Sequence, residues 1–133
     1  DEAAEAISQR PNLPVVLNHT GFPWDRSDAG IVAWKKAMKA IATCPNVQVK
    51  LSEFGLKDAP WTIEGNRGVV LDAVEIFGVE RCMWASNFPV AGLRIGYRAQ
   101  LEGMLEILKG LSPDELDQIF RRTAATFYGI NLD

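Results

Sequence analysis

Short apolar runs alternate with longer amphipathic segments along this chain. Three of the runs are rich in valine or aromatic residues, and each leads into polar residues followed by glycine or proline, a pattern typical of strands. They cover residues 14–19, 47–52 and 81–86. The pattern therefore predicts three short strands at nearly equal intervals.

The segments between and after the strands carry apolar residues three or four positions apart, which places those residues on one face of a helix. Residues 2–9 have the composition of the end of a further helix. The predicted apolar faces are Ile31, Trp34, Met38 and Ile41; Val70, Ala73, Val74 and Phe77; and Tyr97, Leu101, Met104 and Leu108.

The last helix has the strongest start signal in the chain. Ser112 is a good N-cap residue, Pro113 suits the first helical position, and Glu115 completes a capping box. The apolar face predicted for this helix consists of Leu116, Ile119, Phe120 and Phe127.

Strands that alternate with helices at this spacing indicate βα units and a parallel sheet. Three parallel strands cannot close into a barrel, and an open sheet of three would leave two long edges unpaired. The chain also starts within a predicted helix and without methionine. We therefore expect an α/β chain that is the C-terminal part of a larger protein.

Composition narrows the class of protein. Among 133 residues, 47% are hydrophobic and 23% charged, which is ordinary for a globular chain, and no apolar run is long enough for a membrane helix. The net charge is −3 and the basic residues are scattered, so no nucleic-acid or membrane partner is expected. Cys44 and Cys82 lie far apart and form no metal pattern, and free core thiols in a cytoplasmic protein are expected.

Polar residues follow all three predicted strands. His19 ends the first, Lys50 and Glu53 lie at the end of the second, and Asn87 follows the third. Ligands bind beyond the carboxyl ends of the strands in parallel α/β folds, so these side chains are candidate site residues. In the second strand, Val47, Val49 and Leu51 are predicted to face the helices, and Gln48, Lys50 and Ser52 the opposite side.

Each candidate also has a purely structural interpretation. A lone histidine at a strand end is often structural, and Lys50 could pair with Glu53 or with a carboxylate outside this chain. Asn87 before Phe88 and Pro89 could be a turn residue.

The loop after the first strand carries three further candidates. Asp25 and Arg26 could form a solvated pair or cap the helix that follows. Trp24, like Trp84, could serve packing alone. Both interpretations stay open for each of these residues at this point.

Four segments resemble the C-terminal part of a known family. They are NHTGFP at 18–23, VKLS at 49–52, FGVERCMWASNFPV at 77–90 and IFRRTAATFY at 119–128. The family is the amidohydrolase-related branch of TIM-barrel metal-dependent hydrolases, which includes sugar lactonases, a pyrone dicarboxylate lactonase and related decarboxylases. The resemblance implies that residues 1–133 form the C-terminal part of a single (β/α)8 TIM-barrel domain: about three βα units and a final helix, with the N-terminal strands absent from this chain.

The resemblance also implies roles for two residues. His19 matches a histidine that is a metal ligand in some members and a substrate or oxyanion contact in metal-free lactonases. Asn87 stands where most members have an aspartate that acts as general base. The family's first-strand His-x-His pair is absent from this chain. A divalent metal (zinc or manganese) and a metal-independent mechanism are therefore both open.

Asn87 is a departure from the family pattern with chemical consequences. An amide cannot accept a proton from water near neutral pH, so another group must act as base, and Glu53 and Asp25 are the candidates in this chain. The departure also removes one hard anionic ligand and so weakens the case for a tightly bound metal.

The leading prediction is a hydrolase that attacks a small lactone or a related carboxylated ring ester with activated water. His19 and Asn87 are the predicted catalytic residues, with His19 also a candidate metal ligand. The predicted substrate contacts are Lys50 and Arg26, for a carboxylate, with Trp24, Glu53 and Asp25. The alternatives are a metal-dependent non-oxidative decarboxylase of an aromatic or muconate-type acid and a non-catalytic binding relative. The expected partners are a small-molecule substrate and the remainder of the barrel, supplied by an upstream segment or another chain.

Overall fold

The computed structural model describes residues 2–132 and contains one parallel sheet. Its strands are β1 (Val15–Leu17), β2 (Val47–Leu51) and β3 (Cys82–Trp84), in the order β1-β2-β3. Val15 is paired with Val47, and Val49 with Cys82. The predicted parallel sheet of three strands is confirmed, with each strand shorter than its apolar run.

Helices separate and follow the strands in the predicted order. They are α1 (Glu2–Ser8), α2 (Asp28–Ala42), α3 (Ile63–Phe77), α4 (Tyr97–Ile107), α5 (Pro113–Asp117) and α6 (Thr123–Tyr128). None of the helices within residues 2–132 is long and apolar enough to cross a membrane.

The core lies between one face of the sheet and the helices. Val47, Val49 and Leu51 are fully buried and belong to one hydrophobic cluster with residues of α2 and α3, while Gln48 and Lys50 on the opposite face are half-buried. Two-residue alternation along β2 thus assigns its faces as predicted. The buried side chains of α2 are Trp34 and Met38, both on the predicted apolar face.

Both cysteines are free and buried, as predicted. Burial raises the pKa of the Cys82 thiol to about 12, because the thiolate loses its hydration inside the core. At neutral pH this side chain therefore stays a protonated apolar group and is not a nucleophile.

The last predicted helix is continuous but irregular. A π-helical turn at Gln118–Arg122 joins α5 to α6 and shifts the side chains that follow it around the helix axis. Ile119 is buried within this turn, and Phe120 packs on Trp84 with ring centroids 5.4 Å apart. The packing interpretation of Trp84 fits this contact.

The capping box at α5 forms as predicted. The Ser112 hydroxyl accepts a hydrogen bond from the Glu115 amide at 3.3 Å, and the Glu115 carboxylate accepts one from the Ser112 amide at 2.7 Å. Hydrogen bonds that the Ser112 amide and hydroxyl donate to this carboxylate lower the pKa of Glu115 from its ordinary 4.5, the amide contributing most. The carboxylate's contribution is thus present above that ordinary value and is lost as the pH falls through the lowered one.

We expect Ser112→Ala to lower the free energy of unfolding by about 1 kcal/mol, because the Glu115 amide loses its acceptor. Urea denaturation measures this difference. Ser8→Ala is the matched control, since the Ser8 hydroxyl donates to the Glu5 carbonyl at an exposed helix end and caps no amide. Equal losses in the two variants would contradict the capping role of Ser112.

Candidate active site at the strand ends

Within residues 2–132, five non-glycine residues have positive φ angles, and all of them follow the carboxyl ends of the strands. They are His19, Thr20, Phe22, Glu53 and Asn87, with φ between 50° and 56°. Such conformations cost about 1–3 kcal/mol each and cluster where a side chain must be held in one place. The strain therefore marks the predicted functional end of the sheet.

His19 was expected within the first strand, but the structure places it just beyond. β1 ends at Leu17, and residues Asn18–Gly21 form a tight turn that passes through the left-handed region. Gly21 has φ 66°, which a side chain would strain. The prediction of a strand to residue 19 is therefore wrong at its end, because left-handed backbone cannot continue a strand.

Two hydrogen bonds made by Thr20 hold this turn in place. The Thr20 hydroxyl donates to the Lys50 carbonyl at 3.0 Å, and the Trp34 indole donates to the Thr20 carbonyl at 2.8 Å. Thr20 is completely buried. His19 is thus fixed from both sides, by β2 and by α2.

The His19 ring is oriented by Ser52. Its Nδ1 lies 2.8 Å from the Ser52 hydroxyl, and Ser52 is 1% exposed. When the hydroxyl donates to Nδ1, the neutral ring carries its proton on Nε2 and can present it to a ligand. Phe22 packs on the ring in an edge contact with centroids 5.0 Å apart.

Glu53 connects the second and third strand ends. Its Oε2 accepts a hydrogen bond from the Asn87 amide, and its Oε1 accepts one from Arg94 Nη1 at 3.3 Å. Ser52 and Glu53 are consecutive, so the end of the central strand touches His19 on one side and Asn87 on the other. The structure thereby brings three predicted site residues into one arrangement of two hydrogen-bonded groups, His19 with Ser52 and Asn87 with Glu53 and Arg94.

The sequence pattern does not single out two residues of this arrangement as site residues, Ser52 and Arg94. Ser52 was assigned to the polar face of β2, and a polar residue directly at a strand end is a signal that could have found it. Arg94 lies in the loop between β3 and α4, and no pattern in that loop distinguishes it from other exposed arginines.

A cavity of about 530 Å³ opens beside Glu53. All three loops that follow the strands contribute to its wall. The lining residues are Trp24, Glu53, Gly55, Leu56, Lys57, Asp58, Ala59 and Arg94. Two carboxylates balance two cations here, and the remaining wall is largely apolar.

Lys50 makes a different contact from the ion pair that was considered. Within residues 2–132 the cation paired with Glu53 is Arg94, whereas Lys50 Nζ lies 5.4 Å from the centre of the Tyr128 ring. This is a cation–π distance. The predicted contact of Lys50 with a substrate stays a prediction.

Arg26 is bound by the scaffold. Its guanidinium donates to the carbonyls of Pro23, Phe54 and Gly65 and to the side chain of Asn66. Burial lowers the pKa of Arg26 because its charge is partly removed from water. These contacts tie the first loop to the start of α3, and its predicted contact with a substrate carboxylate stays a prediction.

Asp25 supports the start of α2. Its carboxylate accepts from the Ser27 amide at 2.9 Å, and Ser27 in turn accepts from the Gly30 amide at 3.1 Å as the N-cap. Hydrogen bonds from Ser27 lower the pKa of Asp25. The capping interpretation of Asp25 fits this geometry, while Trp24 is 63% exposed at the cavity and lies outside the core.

The fit of a divalent metal depends on the ligands that are present. Nδ1 of His19 contacts Ser52, and among residues 2–132 its Nε2 has no hydrogen-bond partner, so Nε2 could serve as one ligand. Residues 2–132 nevertheless bring together no group of three histidine, cysteine or carboxylate side chains that could hold an ion. The described residues therefore do not form a metal site by themselves, and the metal role of His19 stays a prediction.

Comparison with known proteins gives one family. Residues 1–130 match the amidohydrolase family. An uncharacterised protein of Sinorhizobium fredii is 39% identical over 98% of this chain and 43% of its own length. An L-fucono-1,5-lactonase of Burkholderia multivorans is 30% identical over 87% of this chain and 43% of its own.

A solved structure supports the fold. A Burkholderia multivorans amidohydrolase crystallised with bound HEPES superposes with a TM-score of 0.88 and 24% identity, over 98% of this chain and 49% of that one. The chain thus spans about half the length of the proteins it matches. The predicted fold class, three βα units of an amidohydrolase barrel, is confirmed by this match.

Proposed function

The chain belongs to the amidohydrolase family, and from that premise we propose that the natural protein hydrolyses a small lactone by attack of water on the ring carbonyl. The L-fucono-1,5-lactonase relative supports a sugar-derived lactone as the substrate class. The lactone or carboxylated ring ester suggested by the motifs falls within the same reaction type.

The observation that carries this proposal is the pair of contacts made by Ser52 and Glu53. These neighbours at the end of β2 bind His19 and Asn87, and so hold a proton donor and an amide at the ends of the two strands that flank β2. Ester hydrolysis needs a donor for the developing oxyanion and a group that orients water. The arrangement supplies one candidate for each.

His19 is the proposed oxyanion donor. As attacking water bonds to the carbonyl carbon, the carbonyl oxygen gains charge, and a proton held on Nε2 stabilises it. Asn87 donates its amide protons towards Glu53, which leaves its Oδ1 to accept a hydrogen bond from the water. Preorganisation by Ser52 and Glu53 avoids reorienting these groups during the reaction.

We propose that the substrate contacts the residues that line the cavity beside Glu53. Trp24 offers an exposed aromatic face beside the Glu53 and Arg94 pair, and Lys57 and Asp58 add a donor and an acceptor. A flat aromatic face next to paired donors and acceptors suits a ring with several hydroxyl groups.

We also propose that this chain forms the C-terminal part of one barrel domain, completed by an upstream segment or another chain. β1 and β3 are each paired on one side only within residues 2–132. On the face of β2 away from the helices, Gln48 Oε1 is buried without a partner in those residues. A buried acceptor normally has a donor, which the remainder of the barrel would supply.

The natural protein at full length should be assayed against five- and six-membered sugar lactones, with product acids identified by NMR. We expect hydrolysis of at least one lactone and none of open-chain ethyl esters, which lack the ring. Ser112→Ala, a cap variant outside the site, should retain the wild-type rate. Absence of hydrolysis across the lactones would refute the proposal.

The second candidate is a binding protein that keeps the pocket without catalysis, and Asn87 is the residue that favours it. A metal-dependent decarboxylase is favoured by no contact within residues 2–132. Metal analysis of the purified full-length protein tests that alternative directly, since such a decarboxylase needs a firmly bound divalent ion.

A further inference from the structure

We propose that Glu53 is the general base of this site, and that Arg94 is the positioning residue that holds its carboxylate against Asn87. This inference rests on the proposed lactone hydrolysis and names the proton acceptor that the family pattern lacks here. The carboxylate would thus act from the end of β2, while an amide occupies the position at the end of β3.

Glu53 has the access that a base requires. Its side chain is 12% exposed, and it lines the 530 Å³ cavity while touching Asn87. A carboxylate has about four acceptor positions, and the amide and the guanidinium occupy one each. The others remain for a water molecule that also donates to Asn87 Oδ1.

Asp25, the other candidate base, is hydrogen-bonded at the start of α2 instead. Its Oδ1 accepts from the Ser27 amide at the start of α2. A β-carbon at position 30 would lie 2.3 Å from its Cγ, so the carboxylate is packed directly on the helix start. Glu53 is therefore the better placed of the two to receive a proton at the site.

Two hydrogen bonds hold Arg94 over the loop that carries Glu53. Its Nη1 donates to Glu53 Oε1 at 3.3 Å, and its Nε donates to the Leu56 carbonyl at 3.2 Å. It crosses Gly55 so closely that a β-carbon there would lie 2.4 Å from Arg94 Cδ. Arg94 can therefore occupy this position only because residue 55 is a glycine.

The left-handed backbone supports the same assignment. Glu53 and Asn87 have φ angles of 50° and 53°, so both residues pay a conformational cost at the point where their side chains meet. Glycine would adopt the same left-handed backbone conformation at a lower free-energy cost than glutamate does. The side-chain contact is what the conformation secures.

The proposed step balances as an ester hydrolysis. The water oxygen bonds to the carbonyl carbon, its proton passes to Glu53, and the carbonyl electron pair moves onto the oxygen facing His19. Collapse of this intermediate breaks the ring carbon–oxygen bond, and the departing alkoxide takes the proton back from Glu53. Lactone and water thereby give the open hydroxy acid.

The test measures kcat, KM and the pH profile of lactone hydrolysis in the full-length protein. We expect Glu53→Gln to lower kcat by about 10²–10⁴-fold with little change in KM, and to remove the acid limb of the profile. Glu53→Ala should regain activity with added formate, which replaces the missing carboxylate. This second variant keeps the test decisive if Glu53→Gln does not fold correctly.

Arg94 variants separate positioning from structure. Arg94→Met should lower kcat about tenfold at constant KM, Arg94→Lys should recover part of that loss, and Gly55→Ala should behave like Arg94→Met because it displaces the guanidinium. Arg98→Lys is the matched control, since Arg98 pairs with Glu102 on the α4 surface. Equal kcat in Arg94→Met and wild type would refute the positioning role.

The outcomes distinguish this inference from the proposed function. Lactone hydrolysis by wild type with full activity in Glu53→Gln would overturn the base assignment and leave the function standing. Absence of hydrolysis by wild type would overturn both. Loss of kcat with formate rescue would support both.

Discussion

Replacing His19 with alanine is expected to lower kcat/KM for lactone hydrolysis by about 10²–10³-fold, the usual effect of removing one oxyanion donor. The loss should fall mainly on kcat, because the donor acts on charge that develops in the transition state. Steady-state kinetics on the full-length protein measure both parameters.

Ser52→Ala is the companion variant for this prediction. It keeps the imidazole but removes the hydroxyl 2.8 Å from Nδ1, so a smaller loss of about tenfold is expected from a misoriented ring. Both variants should retain the far-UV circular dichroism of wild type. Unchanged kcat/KM in His19→Ala would remove His19 from the mechanism.

Asn87→Asp is the second substitution with a large expected effect. It replaces a donor to Glu53 by a second carboxylate, and two like charges about 4 Å apart near a protein surface repel by about 4 kcal/mol. We expect kcat near pH 7 to fall by about 10²-fold. Part of the lost kcat should return at lower pH, where the two carboxyl groups can share one proton. A pH series of initial rates measures this.

Asn87→Ala provides the comparison, because it removes the donor without adding charge and should cost less activity than Asn87→Asp. The binding-protein alternative predicts the opposite result. If Asn87→Asp gains hydrolytic activity, the site of this chain is a degenerate form of the family site, and Glu53 is not its base.

Most of the fold could be predicted from periodicity. The alternation along β2 and the three-and-four spacing in α2 are set by which side chains must leave water, and the structure buries Val49 and Met38 accordingly. The strand ends and the π-helical turn at Gln118–Arg122 could not be predicted this way. Both depend on tertiary packing that overrides the local pattern.

The position of the site in the fold could be predicted from the sequence, but the contacts among its side chains could not. His19, Glu53 and Asn87 each follow a strand, so the topology of a parallel sheet already brings them to one edge. The partners of these residues depend on side-chain reach across loops. The cation beside Glu53 is Arg94, 41 residues away in the chain, and no spacing rule connects the two.

The left-handed residues at the strand ends have a consequence for the evolution of this protein. Glycine at positions such as 19 or 53 would relieve about 1–2 kcal/mol of backbone strain, so selection for folding alone favours their loss. If His19 and Glu53 act in catalysis as proposed, they persist in a lineage only while selection for activity outweighs that gain. Natural variants that have drifted to glycine at either position should be those that have abandoned catalysis.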